Sequence, residues 1–544
     1  MQRRARAVPV WLVCCLVAWP QIGSAFDFTF PWLDEPASFS ISATSVFDYH
    51  DRNFDGSTDN DEYYDLRNRL NLELAVMRFA LAVRLDSATF FSEPSPEQGN
   101  APYLDRYAPE KVHGSWSDRH WKVDLGDYYA SLGRGLALRI RKTDQLGEDT
   151  TLLGARLGFR CGPWEAQVLT GLSNPSNTDL YEKTLADPYD LVSAVRLAWR
   201  PFERAAISVH GSLFYFDPLD RNDQAYLLDE HISIAGAAFE LPGDALGLYA
   251  EVDWLGRRRQ AFVGQTQGDF DQGWAAYASA DLTLADWTLT AEIKSSRDFY
   301  AATFTSSDDG QHSVQRIDYV RPPTLELESM EVKNNHSVHG ARLQADWRPG
   351  AAGTLLFASG AGFLAEDQAG HSWISNLSLG VEQRFLSTGR ARLALGWREE
   401  SPDYDGTSTR LYYTEAELKL PLAARHSLDL HGTSWVVRER MPDSDFLKGE
   451  WTLGYAYSPY LAASLIFGFD TSPSGCTELS PFYTEVQPPR RQLFLAGSVS
   501  VNLFSKYLLR VLAGQVRGGL TCVDGVCKNL PAFAGVRTEL TLRF

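Results

Sequence analysis

Sustained helical periodicity is missing from this sequence, and so is any linker that would divide it into soluble domains. No Gly-x-Ser-x-Gly or His-Glu-x-x-His motif occurs, and no glycine loop for phosphate, so hydrolase, zinc-peptidase and nucleotide-binding readings have no anchor. The expectation is a protein that is not an enzyme. Cysteine and methionine are scarce, at 6 and 4 of 544 residues. Basic residues are outnumbered 51 to 69, and an acidic balance argues against nucleic acid as a partner.

The N-terminus is the one place with a long apolar run. Arg3, Arg4 and Arg6 precede Val8 to Ala18, and the small residues Gly23, Ser24 and Ala25 follow. The run is shorter than the ~20 residues a membrane-spanning helix needs, so residues 1–25 read as a cleavable signal peptide. Export to the outer membrane of a cell with two membranes is expected. Without the three arginines, 48 basic residues face 69 acidic ones, a formal charge of −21.

What recurs is alternation. At the C-terminus Val536, Thr538, Leu540, Leu542 and Phe544 share one face, and Arg537, Glu539, Thr541 and Arg543 share the other. Period two is the pattern of a strand with one apolar face. Trp287, Leu289, Ala291 and Ile293 against Thr288, Thr290, Glu292 and Lys294 repeat it, as do Leu246 to Trp254, Trp373 to Phe385 and Thr409 to Leu420. Short connections such as Ala285-Asp286 and Arg348-Pro349-Gly350 alternate with long ones, among them Asp217 to His231, Gly256 to Gln272, Asp298 to His336 and Gly518 to Pro531. This predicts an all-β fold: a transmembrane antiparallel up-and-down β-barrel with short periplasmic turns and long extracellular loops. The barrel is expected over residues 38–544, after a short periplasmic segment at 26–37. Some 25 candidate strands are countable, one more than an even-numbered barrel allows, so about 24 (22–26) are expected. The unclear division lies between Lys111 and Lys142.

That same region carries a resemblance. Trp121-Lys122-Val123-Asp124-Leu125-Gly126-Asp127-Tyr128-Tyr129, then Gly133-Arg134-Gly135-Leu136, then Asp149 to Leu157 resemble a family of large, uncharacterised outer-membrane barrels. More loosely they are similar to alginate-export-type porins. The resemblance implies the fold class and a transport role; no substrate-binding residue carries over position by position. A terminal Phe after alternate apolar residues also resembles the signal read by the barrel assembly machinery, which with outer-membrane lipid is an expected partner.

Asp51-Arg52-Asn53-Phe54-Asp55-Gly56-Ser57-Thr58-Asp59-Asn60-Asp61-Glu62 fits the twelve-residue calcium pattern. Asp51, Asn53, Asp55, Asp59 and Glu62 are candidate side-chain ligands, and Ser57 a carbonyl ligand. A solvated surface turn is the other reading. His336 and His339 are a weaker metal candidate, read as solvated loop histidines. Cys522 and Cys527 are spaced for a loop disulfide; Cys161 and Cys476 are left free or paired elsewhere.

On the polar faces, parity turns Glu251, Asp253, Glu292, Lys294, Arg342, Asp346, Glu382, Arg384, Arg392, Arg398, Glu415, Glu417 and Lys419 toward the lumen. Their mixed signs imply no strong ion preference. The function expected is a passive or substrate-selective channel for an unnamed solute, its lumen narrowed by an inward segment at Tyr128 to Leu136. The alternative is a closed barrel acting as a surface scaffold or adhesin through its long loops.

Overall fold

The computed structural model describes residues 26–28, 37–52, 62–91, 105–178, 185, 187–188, 190–202, 204–216, 230–259, 269–306, 314–326, 330, 335–350, 353–366, 370–386, 388–403, 407–440, 443–472, 492–503, 506–523, 526–530 and 532–544. Residues 1–25, expected as a signal peptide, lie outside them.

Twenty-four antiparallel strands make one closed wall, each bonded to its neighbours in sequence. The wall begins with Ala37–Arg52, Tyr63–Val76, Phe79–Phe91, Arg106–Ser117 and Trp121–Tyr128. It ends with Gln492–Leu503, Tyr507–Val516 and Phe533–Arg543. The ring closes where the last strand meets the first, from Arg543 opposite Ser42 to Ala534 opposite Arg52. Phe544 locks that seam, its N–H donating to the Ile41 carbonyl at 2.8 Å while the Ile41 N–H donates back at 3.0 Å. Closure leaves no row of unpaired backbone groups facing lipid. The short Phe26–Phe28 strand pairs with Ala37–Phe39 at the foot of the wall.

Connections alternate as the sequence implies. One rim carries tight turns, between Val76 and Phe79, Cys161 and Trp164, Leu284 and Trp287, and Ala423 and His426. The other carries the long connections. Some are shorter than the hydropathy suggests: the strands flanking the expected Gly256–Gln272 loop run on to Arg259 and start again at Asp269, held by continuous backbone pairing.

The surplus candidate strand lies in the Lys111–Lys142 region. Arg106–Ser117 and Trp121–Tyr128 belong to the wall, whereas Ala130–Leu132 and Leu138–Ile140 form a small hairpin of their own. Gly133 and Gly135, with φ of +59° and +93°, reverse the chain there in a region that favours glycine, so the segment leaves the sheet.

The exterior of the wall is apolar. Val209, Leu213, Val252, Ile293, Leu343, Leu379 and Leu395 are all exposed, and such a continuous surface is suited to hydrocarbon rather than water. Near the tight turns tryptophans stack across neighbouring strands, Trp164 on Trp199 and Trp287 on Trp347, with ring centroids 6.0 and 5.5 Å apart. Their amphipathic rings suit a membrane interface. Leu379, 55% exposed near the middle of His371–Phe385, tests this assignment. Leu379→Arg is expected to cost about 2–4 kcal/mol of folding stability in vesicles, whereas Glu417→Gln on the opposite face leaves it nearly unchanged; urea titration of the refolded proteins measures both.

Candidate functional site

The lumen is not empty. After Trp121–Tyr128 the chain turns inward, and Leu132, Leu136, Ala137, Leu138 and Ile140 are buried against Phe214, Ile232, Ile234, Leu255 and Tyr277. Those wall residues lie on the face opposite the exposed Val209, Leu213, Val252 and Trp254, which places residues 129–150 inside the barrel. Ser212 Oγ donates to the Ala137 carbonyl at 2.7 Å. The expected inward segment at Tyr128 to Leu136 is therefore the first part of a longer one.

A second inward segment, from the connection between Trp287–Arg297 and Val338–Trp347, docks on the first. Phe299, Ile317, Tyr319 and Val320 join the same apolar cluster. Backbone bonds tie the two together, Arg139 N–H to the Tyr319 carbonyl and Arg321 N–H to the Gly135 carbonyl, each at 2.8 Å. Tyr319 donates to Asp190 at 2.6 Å. Glu326 accepts from Arg398 at 3.0 Å and from Asn376 at 3.2 Å, and Lys294 donates to the Asn335 carbonyl at 2.8 Å.

Buried charges fasten the far end of the first segment. Glu148 pairs with Arg321 at 2.5 Å and Lys528 at 3.1 Å. Asp149 pairs with Arg84 and with Lys111, and accepts from Tyr129 at 2.6 Å. Burial pushes the Glu148 carboxyl up, but Arg321 and Lys528 outweigh it and hold the group below the ordinary carboxylate range. Asp149 is likewise raised by burial and brought lower overall, chiefly by Lys111, Tyr129 and Arg84.

The structure divides the polar wall residues into two sets. Glu251, Asp253, Glu292, Lys294 and Arg398 are buried beneath the inward segments, and Arg342 pairs with Glu292. Arg384, Arg392, Glu415, Glu417 and Lys419 keep partial or full exposure, while Glu382 is buried under Arg384 and Arg390. There Arg390 bridges Glu382 at 2.8 Å and Glu417 at 3.4 Å, and Arg392 approaches Glu415 at 3.9 Å. The Arg384 side chain is 76% exposed. Asp346 accepts from Gln344 at 3.2 Å on the same face.

Among the described residues, two buried His–carboxylate groups sit in the wall. In one, Asp48, His50 and Asp65 meet Arg67 and Arg537, which pair with the carboxylates. In the other, His210 Nε2 lies 2.8 Å from Asp253 Oδ1 and 3.4 Å from Glu251 Oε1.

Of the twelve-residue calcium pattern, Asn53, Asp55, Ser57 and Asp59 lie outside the described residues. Asp51 ends inside the first strand and Glu62, at φ +58°, precedes the second. His336 and His339 are not brought together: Nδ1 of His336 lies 3.2 Å from the Phe299 carbonyl, and Nδ1 of His339 lies 2.7 Å from Ser295 Oγ. Both are half-buried, and burial drives the His336 pKa down to about 4. Cys161 is free and exposed; Cys527 is disulfide-bonded, and Cys522 is its register partner in the Gly519–Val523 and Val526–Leu530 hairpin. Cys476 lies outside the described residues.

His210, Glu148, Asp190, Tyr319 and Arg321 escape sequence reasoning because these partners are 41 to 380 positions away. One signal is legible: Glu230–Leu241 turns Ile232 and Ile234 inward and His231 and Ser233 outward, the reverse of a water-filled lumen.

A family model described as a family of unknown function, DUF6029, matches residues 29–331, a span that includes the first inward segment and most of the second. No curated protein matches the chain. Among solved structures, the siderophore receptor PirA from Pseudomonas aeruginosa is similar at 10% identity and a TM-score of 0.49, covering 93% of this chain and 80% of that one. The copper transporter OprC gives 8% identity and 0.48, covering 96% and 81%. OccK5 (OpdH) from Pseudomonas aeruginosa gives 10% and 0.37, covering 70% and 97%.

Proposed function

We propose that this chain, which belongs to the DUF6029 family of unknown function, is an outer-membrane channel whose lumen is constricted by two of its own connections. Family membership brings no activity with it, so the reading rests on the wall. The observation that carries it is the solvent-reached ladder of Arg384, Arg390, Arg392, Glu415 and Glu417 on the uncovered side of the lumen. Charged side chains facing water inside an apolar-coated barrel make a polar path for small hydrophilic solutes. Their signs nearly balance, which fits passage with weak ion selectivity. The role is conduction, without catalysis.

A closed barrel serving as a surface scaffold is the second reading, favoured by the well-packed apolar cluster between the inward segments and the wall. Planar-bilayer recording of the refolded protein separates the two. Steady openings with a cation-to-anion permeability ratio near unity are expected. Silence from a barrel that shows heat-modifiable migration would refute the channel and leave the scaffold.

A further inference from the structure

The His210, Glu251 and Asp253 group differs from its counterpart at Asp48, His50 and Asp65 in one decisive respect. The latter has two carboxylates facing two guanidiniums, Arg67 reaching both and Arg537 reaching Asp48, so its charge is already balanced. Among the described residues, neither Glu251 nor Asp253 has a Lys or Arg partner. Both are 1% exposed, and Glu251 Oε1, Asp253 Oδ2 and His210 Nδ1 are buried without a hydrogen bond. Two buried carboxyl groups with no guanidinium or ammonium beside them are expensive to ionise unless something pairs with them.

The backbone keeps room for these groups to converge. His210, Gly236 and Asp253 stand in one row across three strands, and a Cβ on Gly236 would come within 2.1 Å of Asp253 Oδ1. Glycine there lets the imidazole and the carboxylate meet over the intervening strand. Gly133 of the inward segment closes the other side, since its Cβ would fall 1.7 Å from Glu251 Oε1.

We infer that His210, Glu251 and Asp253 form a binding site for a divalent first-row transition ion such as Zn²⁺ or Mn²⁺. One ligand atom from each residue lies within 4.8 Å of the others. The 2.8 and 3.4 Å edges at His210 Nε2 suit ligands about 2.0–2.2 Å from a shared ion, whose neighbouring donors stand roughly 3.0 Å apart at octahedral and 3.4 Å apart at tetrahedral angles. An imidazole with two carboxylates matches zinc or manganese in donor type, whereas calcium takes oxygen alone. A dication also neutralises the two carboxylates. The remaining oxygen of Glu251 accepts the Arg134 N–H at 2.8 Å, so the ion would brace the wall against the turn of the inward hairpin.

The test is metal analysis of the full chain, refolded with chelator and then dialysed in turn against Zn²⁺, Mn²⁺ and Ca²⁺. Wild type is expected to retain close to one Zn²⁺ or Mn²⁺ per chain through gel filtration. His210→Gln and Asp253→Asn should lower retention at least about tenfold, while Asp48→Asn should not. Cobalt(II) loaded into wild type should give ligand-field absorption, which keeps the test valid if a variant does not fold. A folded wild type that shows no cobalt bands and retains no more zinc or manganese than calcium overturns the site and leaves the channel reading untouched.

Discussion

Excision of residues 130–149, with Tyr129 rejoined to Thr150 through a short glycine–serine link, is expected to raise single-channel conductance roughly twofold or more, because a 24-strand wall is wide enough to hold an aqueous lumen and one of the two segments that narrow it is gone. The excised segment contributes Leu132, Leu136, Leu138 and Ile140 to the lumen cluster and no strand to the wall. Closure depends on the pairing of Trp121–Tyr128 with Thr151–Cys161, which runs from Tyr128 opposite Leu152 to Trp121 opposite Phe159. That ladder remains intact in the excised protein, so the barrel still forms while the first of its two constricting segments is lost. Conductance unchanged from wild type in a correctly folded variant would show that the segment does not limit flow.

Glu148→Ala should release the same segment without removing it. The substitution leaves Arg321 and Lys528, whose side chains are 6% and 14% exposed, without their shared carboxylate. Breaking a buried pair from one side costs about 3 kcal/mol or more, roughly a hundredfold in the population of the undocked segment. Trypsin reads this directly: Arg134 and Lys142 are exposed and Arg139 and Arg141 half-buried in the docked segment, but cleavage needs an opened backbone, which the segment offers only when it leaves its seat. Nicking between Arg134 and Lys142 is expected to accelerate by about two orders of magnitude, with the wall strands left uncut.

Acid should imitate that substitution. Burial alone would raise the Glu148 carboxyl, but Arg321 and Lys528 hold it below its ordinary value, and Asp149 is depressed in the same direction. A carboxylate with a lowered folded-state pKa stabilises above its unfolded value, about 4.3 for Glu, and the contribution fades as pH falls through the folded one. Docking is therefore complete at neutral pH and weakens below about pH 4.3. Burial also lowers the Lys528 ammonium, with Glu148 opposing.

The wall is legible in the sequence. Alternation in Val536 to Phe544, in Trp287 to Lys294 and in Trp373 to Phe385 marks strands with one lipid face, and parity separates Leu379 and Leu393 from Glu382 and Arg392. These are nearest-neighbour properties of a pleated chain, so a single strand carries them in full. The region from Lys111 to Lys142 was ambiguous for the same reason in reverse. Ala130–Leu132 and Leu138–Ile140 have strand-like composition, and only their packing against Phe214 and Ile234 shows that they are not wall.

Sequence by itself determined the class: a closed, lipid-facing barrel with short turns at one rim and long connections at the other, because period-two patterning and turn chemistry act over a few residues. Tertiary structure decided what the barrel holds. Glu148 meets Arg321 from 173 positions away, His210 meets Asp253 across Gly236 from 43 away, and Tyr319 reaches Asp190 from 129 away. Contacts of that separation depend on the curvature of the whole wall bringing distant strands and loops to face one another, and no local pattern in the chain records it.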